Sequence, residues 1–130
     1  MSFVTPLFAS IFALMYLYLS FGVIKFRLKH QVSLGTGEHS DLEKAMRTHG
    51  NFAEYVPLCL ILLFLLENLT LSTNLAFWLG CLLLVSRVSH AVGMNNSKLF
   101  KCRQFGMIGT FLVMLISSLA MLWVYLPVSI

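Results

Sequence analysis

Charged residues are scarce in this chain. They make up 11% of its 130 residues, whereas hydrophobic residues make up 58%. In soluble domains, about a quarter of the residues are usually charged. This balance excludes an ordinary soluble domain, and the high hydrophobic content excludes a disordered chain. The length accommodates one domain, which has room for four bilayer crossings of about 20 residues each.

Cysteines and metal-ligand patterns are also scarce. The 3 cysteines are odd in number and form no Cys-x-x-Cys spacing, which excludes a disulfide framework. We expect Cys59 and Cys81, which lie in apolar runs, to be small buried hydrophobic residues. Cys102 lies in a basic stretch and is a weak candidate for a reactive thiol. The 4 histidines lack metal-ligand spacing, so no metal site is predicted.

Long apolar runs dominate what remains. The first, Phe3 to Ile24, carries no charge and is too long for a cleaved signal peptide. Ser40 and Glu43 form a capping box that predicts the start of a second helix, and Pro57 is expected to kink that helix. We predict one all-α integral membrane domain, a bundle of four transmembrane helices over about 3–30, 41–67, 73–96 and 104–127.

The basic residues predict the orientation of these helices. All 9 Lys and Arg residues lie at or near the connections between helices one and two and between helices three and four. By the positive-inside rule, both connections face the cytoplasm and both termini face away from it. The membrane topology therefore explains the basic composition. The basic residues are not interleaved with aromatics and no nucleic-acid motif is present, so a nucleic-acid partner is not expected.

Polar residues on helix two form a stripe at the cytoplasmic end of its apolar run. Arg47, Asn51 and Glu54 are spaced i, i+4, i+7, which places them on one face, with His49 and Tyr55 on its flanks. Ionisable residues at this depth normally face the bundle interior and mark a site. The alternative is structural: an ion pair and a hydrogen-bonded amide can also hold helices together.

Helix three carries a second polar group at the same depth. Arg87, His90 and Met94 are spaced i, i+3, i+7, again on one face. His90 by itself is more typical of a satisfied interior histidine. The convergence of two polar stripes nevertheless favours a ligand site.

The donors in these stripes suit an anionic ligand. Arginine forks bind carboxylates bidentately, and a glutamate can hold an ammonium group. A small zwitterion with more than one carboxylate would therefore fit, and glutathione has these groups and a thiol. Arg103, at the start of helix four, would favour the thiolate, which is the nucleophilic form. The residue types alone do not select glutathione over other anionic metabolites.

One run of the chain resembles a known family. Residues 47–57, Arg-Thr-His-Gly-Asn-Phe-Ala-Glu-Tyr-Val-Pro, resemble the helix-two signature of the membrane-associated proteins in eicosanoid and glutathione metabolism, the MAPEG family. The resemblance extends to the length, the four spans, the two basic connections and the run Arg87-Val-Ser-His90. The compact loops are most similar to the small bacterial inner-membrane branch. The resemblance to this family implies a homotrimer that binds glutathione between neighbouring subunits near the cytoplasmic face.

The resemblance also implies a set of site residues. The ligand-binding residues it predicts for glutathione are Arg27, Arg47, His49, Asn51, Glu54, Tyr55, Arg87 and His90. Arg103 is the predicted catalytic residue, because it matches the arginine thought to stabilise the thiolate. Three positions depart from the prostaglandin-forming members, namely Met94, Gln104 and Gly50, and they weaken any expectation of prostaglandin synthesis.

These features predict a glutathione transferase or peroxidase in a bacterial inner membrane. Its thiolate would attack a lipophilic electrophile or a lipid hydroperoxide that arrives from the bilayer. The alternative is a non-catalytic binding or scaffold protein for a lipid or an anionic metabolite. A small transporter is less favoured, because such transporters usually carry a carboxylate in helix one and this helix has none.

Overall fold

The chain folds into a bundle of long helices. The computed structural model describes residues 3–70 and 73–126. Within them lie α1 (Thr5–His30), α2 (Ser40–Thr70), α3 (Thr73–Asn95), a 3₁₀ turn (Ser97–Leu99) and α4 (Phe100–Tyr125). These 4 helices are each long and apolar enough to cross a membrane, which confirms the predicted all-α membrane bundle.

Both ends of α2 differ from the prediction. The first helical hydrogen bond runs from the Glu43 N–H to the His39 carbonyl at 3.0 Å. Ser40 therefore lies in the first turn and is not the N-cap that the capping box predicted. At the other end, α2 runs past Glu67 to Thr70. The side chains of Asn68 and Thr70 each donate to a carbonyl of their own helix at 2.7 Å, so both polar residues belong to the last turn of α2.

The predicted bounds of the other helices also shift. α4 begins at Phe100 and not at residue 104. The cause is Asn96, whose side-chain oxygen accepts the Lys98 N–H at 3.0 Å and caps the 3₁₀ turn that leads into α4. α1 begins at Thr5 and α3 ends at Asn95. Residue 127, the predicted end of helix four, lies outside the described residues.

Polar contacts fasten α1 to α2 at both ends, so the two helices are antiparallel. At the cytoplasmic end predicted from charge, His30 Nε2 lies 2.9 Å from both carboxylate oxygens of Asp41. At the opposite end, Glu67 is 1% exposed. Its Oε1 accepts the Val4 N–H at 2.8 Å, and its Oε2 accepts the Thr5 N–H at 3.1 Å and the Thr5 hydroxyl at 2.8 Å. Glu67 thus satisfies the first N–H groups of α1 and places a carboxylate at its N-terminus.

One face of α2 forms the centre of the core. The buried residues Phe52, Val56, Cys59, Leu63 and Leu66 follow one another at three- and four-residue steps, the spacing of a single helix face. They pack against Phe8 and Phe12 of α1, Leu79 and Leu83 of α3, and Val113 of α4. Within a bilayer, such packing stabilises the bundle through van der Waals contact.

Glycines bring α3 and α4 close together near the cytoplasmic end. A Cβ at Gly106 would overlap the His90 backbone, and one at Gly109 would overlap the Ser86 hydroxyl. Gly93 approaches the backbone of Arg103 in the same way. Small residues at helix crossings permit this approach in membranes. These close contacts therefore fix the register of α3 against α4 near His90 and Arg103.

Candidate functional site

A polar cavity of about 430 Å³ lies beside the N-terminal half of α2. The predicted residues Arg47, Asn51 and Glu54 line it, as their common helix face requires. The rest of its lining comprises Thr36, Glu43, Met46, Gly50, His90, Met94 and Arg103. The structure therefore brings the polar stripe of α2 together with predicted residues of α3 and α4.

The carboxylates of the cavity differ in their surroundings. Arg47 Nε donates to Glu43 Oε1 at 2.9 Å, one turn back on the same helix. Both side chains are exposed, so this pair contributes little stability. Arg47 is thus paired with Glu43 and not with Glu54, so the stripe does not contain the internal ion pair of the structural alternative. Its hydrogen-bonded amide is present, because Asn51 accepts a hydrogen bond from Arg87 of α3. Glu54 is exposed, and no hydrogen bond joins its carboxylate to any residue that the structure describes. Its carboxylate is therefore free to hold a cationic group.

The wall behind the cavity is formed by buried polar side chains. Arg87 is 1% exposed and is not itself a lining residue. Its Nη2 donates to Asn51 Oδ1 at 2.6 Å, and its Nη1 donates to Thr110 Oγ1 at 3.3 Å. His90 is also buried but does line the cavity. Arg87 Nε and His90 Nδ1 have no hydrogen-bond partner in the described part of the chain.

Two contacts from α3 determine the place of Arg103 at the cavity. The Ser89 hydroxyl donates to the Cys102 carbonyl at 2.8 Å, which ties α3 to the first turn of α4. Gly93 lies so close to Arg103 that a Cβ at position 93 would overlap the Arg103 backbone nitrogen. The Arg103 side chain itself is exposed. Its backbone is therefore held against α3, while its guanidinium is open to a ligand.

Arg27 does not line this cavity within the chain. Its Nη1 donates to the carbonyls of Val32, Ser33 and Gly35 at 3.4, 3.2 and 3.1 Å. These carbonyls belong to the connection between α1 and α2, whose Thr36 lines the cavity. Arg27 thus holds the connection that closes one side of the site.

His49 and Tyr55 also lie away from the cavity. His49 Nε2 is 3.0 Å from the Ser20 hydroxyl, and its ring stacks on Tyr16 of α1 with the centroids 4.7 Å apart. Tyr55 meets Phe111 of α4 edge to face, with the centroids 5.6 Å apart. His49 follows Arg47 by two residues, which turns it roughly 200° around the helix. One chain therefore presents His49 and Arg47 on opposite sides of α2.

Several site residues had no clear signal in the sequence. Thr36 lies in the connection between α1 and α2, where no sequence pattern indicates a ligand contact and where Gly35, Gly37 and Glu38 adopt positive φ angles of 68°, 55° and 64°. Glu43 was assigned to the capping box. Thr110 lies in an apolar run, and its contact with Arg87 depends on the register of α3 against α4.

The cysteines and metal ligands add no further centre to the described part of the chain. Cys59 is buried, as predicted, whereas Cys81 and Cys102 are half-buried, and all are free thiols. Among residues 3–70 and 73–126, no three His, Cys, Asp or Glu side chains are grouped so that they could hold a metal ion.

Comparison with known proteins places the chain in a family. Residues 5–123 match the sequence profile of the MAPEG family. The chain is 36% identical over 124 residues to the inner membrane protein YecN of Escherichia coli K12, and the match covers 95% of this chain and 93% of that protein. YecN of Escherichia coli O6:H1 matches to the same extent. The name of these relatives gives a location and no activity. The chain therefore belongs to the MAPEG family and is a multi-pass protein of the bacterial inner membrane.

Proposed function

We propose that this protein is a glutathione-dependent membrane enzyme, a transferase or peroxidase. The observation that carries the proposal is the convergence of Arg47, Asn51, Glu54, His90 and Arg103 on one polar cavity. Arginine forks suit the two carboxylates of glutathione, and the free carboxylate of Glu54 suits its ammonium group. The family includes enzymes that use glutathione, which is consistent with this ligand.

Arg103 is the residue proposed to activate the thiol. Its cationic, exposed side chain at the cavity favours loss of the thiol proton to solvent. In the transferase reaction, the thiolate sulfur forms a bond to an electrophilic carbon, and the leaving group departs with its electron pair. In the peroxidase reaction, the thiolate sulfur attacks the outer oxygen of a hydroperoxide and the O–O bond breaks. This step forms glutathione sulfenic acid, and the leaving alkoxide takes a proton from solvent to become an alcohol. A second glutathione then reduces the sulfenic acid, which yields glutathione disulfide and water.

The proposed assembly is a homotrimer in which a neighbouring subunit completes the site. Arg27 and His49 lie outside the cavity of their own chain, and a second copy would bring them to it. An apolar cavity of about 360 Å³ is lined by Phe12, Phe52 and Tyr16 among others, and the His49 ring stacks on this Tyr16. In such a trimer, this apolar cavity would lie beside the polar one, where a lipophilic second substrate could enter from the bilayer.

The test is the ultraviolet difference spectrum of the purified protein in detergent on addition of glutathione, because thiolate absorbs where thiol does not. We expect a saturable thiolate signal in the wild-type protein. The Arg103→Ala variant is expected to lose this signal, and its reaction rate is expected to fall about 10²-fold or more. Its glutathione affinity, measured by calorimetry, is expected to change much less. Lys101→Ala is the matched control. Lys101 is a cation in the same turn of α4, but it does not line the cavity.

Each other outcome has a defined meaning. Equal losses of rate and affinity in Arg103→Ala would refute the assigned role of Arg103. Binding without a thiolate signal in the wild-type protein would replace the enzyme with the alternative, a non-catalytic binding protein. No binding at all would refute glutathione as the ligand.

A further inference from the structure

Arg87 is a buried cation that pairs with no acidic side chain in the described part of the chain. Its side chain is 1% exposed, and the ion pairs of residues 3–70 and 73–126 do not include it. A charge at this depth is costly and normally belongs to a functional site. Its two hydrogen bonds go to neutral groups, the Asn51 amide oxygen and the Thr110 hydroxyl.

The bond to Asn51 determines which end of the amide meets the cavity. A guanidinium can only donate hydrogen bonds, so the atom that it contacts at 2.6 Å must be the amide oxygen. Asn51 lines the cavity. With its oxygen held by Arg87, the NH₂ group is the end that remains for a ligand, and it has no partner among the described residues. The cavity therefore presents a hydrogen-bond donor at this point.

We propose that Arg87 is a positioning residue that acts through Asn51. It orients the Asn51 amide so that its NH₂ group faces the cavity, and the site thereby selects a ligand with a carboxylate or a carbonyl oxygen at this point. The inference rests on the proposed function in taking glutathione as the ligand. It differs from the resemblance, which places Arg87 among the residues that contact glutathione, because Arg87 here lies behind Asn51 and does not line the cavity.

A double-mutant cycle distinguishes the two roles. Glutathione affinity is measured by calorimetry for the wild-type protein, Arg87→Met, Asn51→Ala and the double variant. Each single variant is expected to weaken binding about tenfold, the usual effect of one hydrogen bond. If Arg87 acts through Asn51, the double variant binds no more weakly than Asn51→Ala. If Arg87 contacts the ligand or only supports the fold, its effect persists and the losses multiply to about 100-fold, which would overturn the inference.

Thr110→Val provides a second test that keeps the arginine in place. It removes the hydroxyl that accepts from Arg87 Nη1 and preserves the volume of the side chain. We expect a smaller loss of affinity that again disappears in the Asn51→Ala background. Ser117→Ala is the matched control, because this buried hydroxyl on the same helix has no partner within the described residues. An effect of Ser117→Ala equal to that of Thr110→Val would overturn the inference.

The chemical specificity is tested with Asn51→Asp. Aspartate keeps the shape of the side chain and its bond to Arg87, but it presents an acceptor to the cavity in place of a donor. We expect it to bind glutathione more weakly than Asn51→Ala does, because two acceptors then face each other. If Asn51→Asp binds glutathione as tightly as Asn51→Ala or more tightly, the inference is overturned but the proposed function is not. A wild-type protein that does not bind glutathione would overturn both the inference and the proposed function.

Discussion

Replacement of Glu67 by glutamine is expected to destabilise the bundle at the end opposite the polar cavity. The carboxylate accepts three hydrogen bonds from the first residues of α1, with both of its oxygens engaged. Glutamine has the same volume but only one acceptor oxygen, and its NH₂ group would face N–H donors. The first turn of α1 would therefore lose at least one bond and its favourable charge.

The magnitude follows from these contacts. A hydrogen bond to a charged group contributes about 1.5–3 kcal/mol, and a carboxylate at a helix N-terminus contributes about 0.3–1 kcal/mol, or up to about 2 kcal/mol when partly buried. Glu67 is buried, so we expect Glu67→Gln to lower the free energy of unfolding by about 2–4 kcal/mol.

Denaturant unfolding in detergent, followed by circular dichroism, measures this change. Thr5→Val removes the hydroxyl that donates to Glu67. A double-mutant cycle of Thr5→Val and Glu67→Gln is expected to give a coupling free energy of about 1 kcal/mol or more. Asn68→Ala is the control, because it alters the adjacent exposed residue and should change stability by no more than about 0.5 kcal/mol. A Glu67→Gln effect as small as that of Asn68→Ala, with no coupling to Thr5, would refute this account of the α1 N-terminus.

Three further predictions concern the site and its packing. Gly93→Ala is expected to reduce the thiolate signal by displacing Arg103, whereas Gly22→Ala, whose Cβ would meet nothing within 4 Å, leaves it unchanged; equal signals in both variants would contradict this. Co-expression of Arg47→Ala with His49→Ala chains is expected to restore glutathione binding at about a quarter of the sites of randomly mixed trimers, and no restoration would contradict sites shared between subunits. Gly80→Ala is expected to cost about 1–3 kcal/mol of stability by overlap with the Phe8 ring, and Phe8→Leu in the same chain should recover part of this loss in thermal unfolding.

Helix periodicity explains why part of the site was predictable. Arg47, Asn51 and Glu54 lie on one face of any helix that contains them, so their common presence in the cavity follows from spacing. The same rule separates His49 from them. What spacing cannot give is the rotation of α3 relative to α2. The contacts at Gly106 and Gly109 fix α3 only against α4. The hydrogen bond from Arg87 to Asn51 shows how α3 is turned toward α2, with Arg87 behind Asn51 and not beside it.

Long-range contacts explain what was missed elsewhere. Glu67 lies 63 and 62 residues from the backbone N–H groups that it accepts, and no local pattern joins them. A single glutamate at the end of an apolar run is typical of a residue at the membrane surface. The same holds for the connection after α1, where Gly35 and Glu38 adopt positive φ angles that no periodic pattern predicts, and where Thr36 lines the cavity.

The fastening of α1 to α2 at both ends has a consequence for bilayers of different thickness. The uncharged part of α1, from Thr5 to Ile24, is about 30 Å long, which matches a hydrocarbon core of about 30 Å. In a thinner bilayer, a single helix of this length would tilt independently. Because Glu67 holds one end of α1 and Asp41 the other, any change of tilt must carry α2 with it. A change in membrane thickness is therefore expected to change the tilt of α2, and with it the orientation of the site residues Arg47, Asn51 and Glu54.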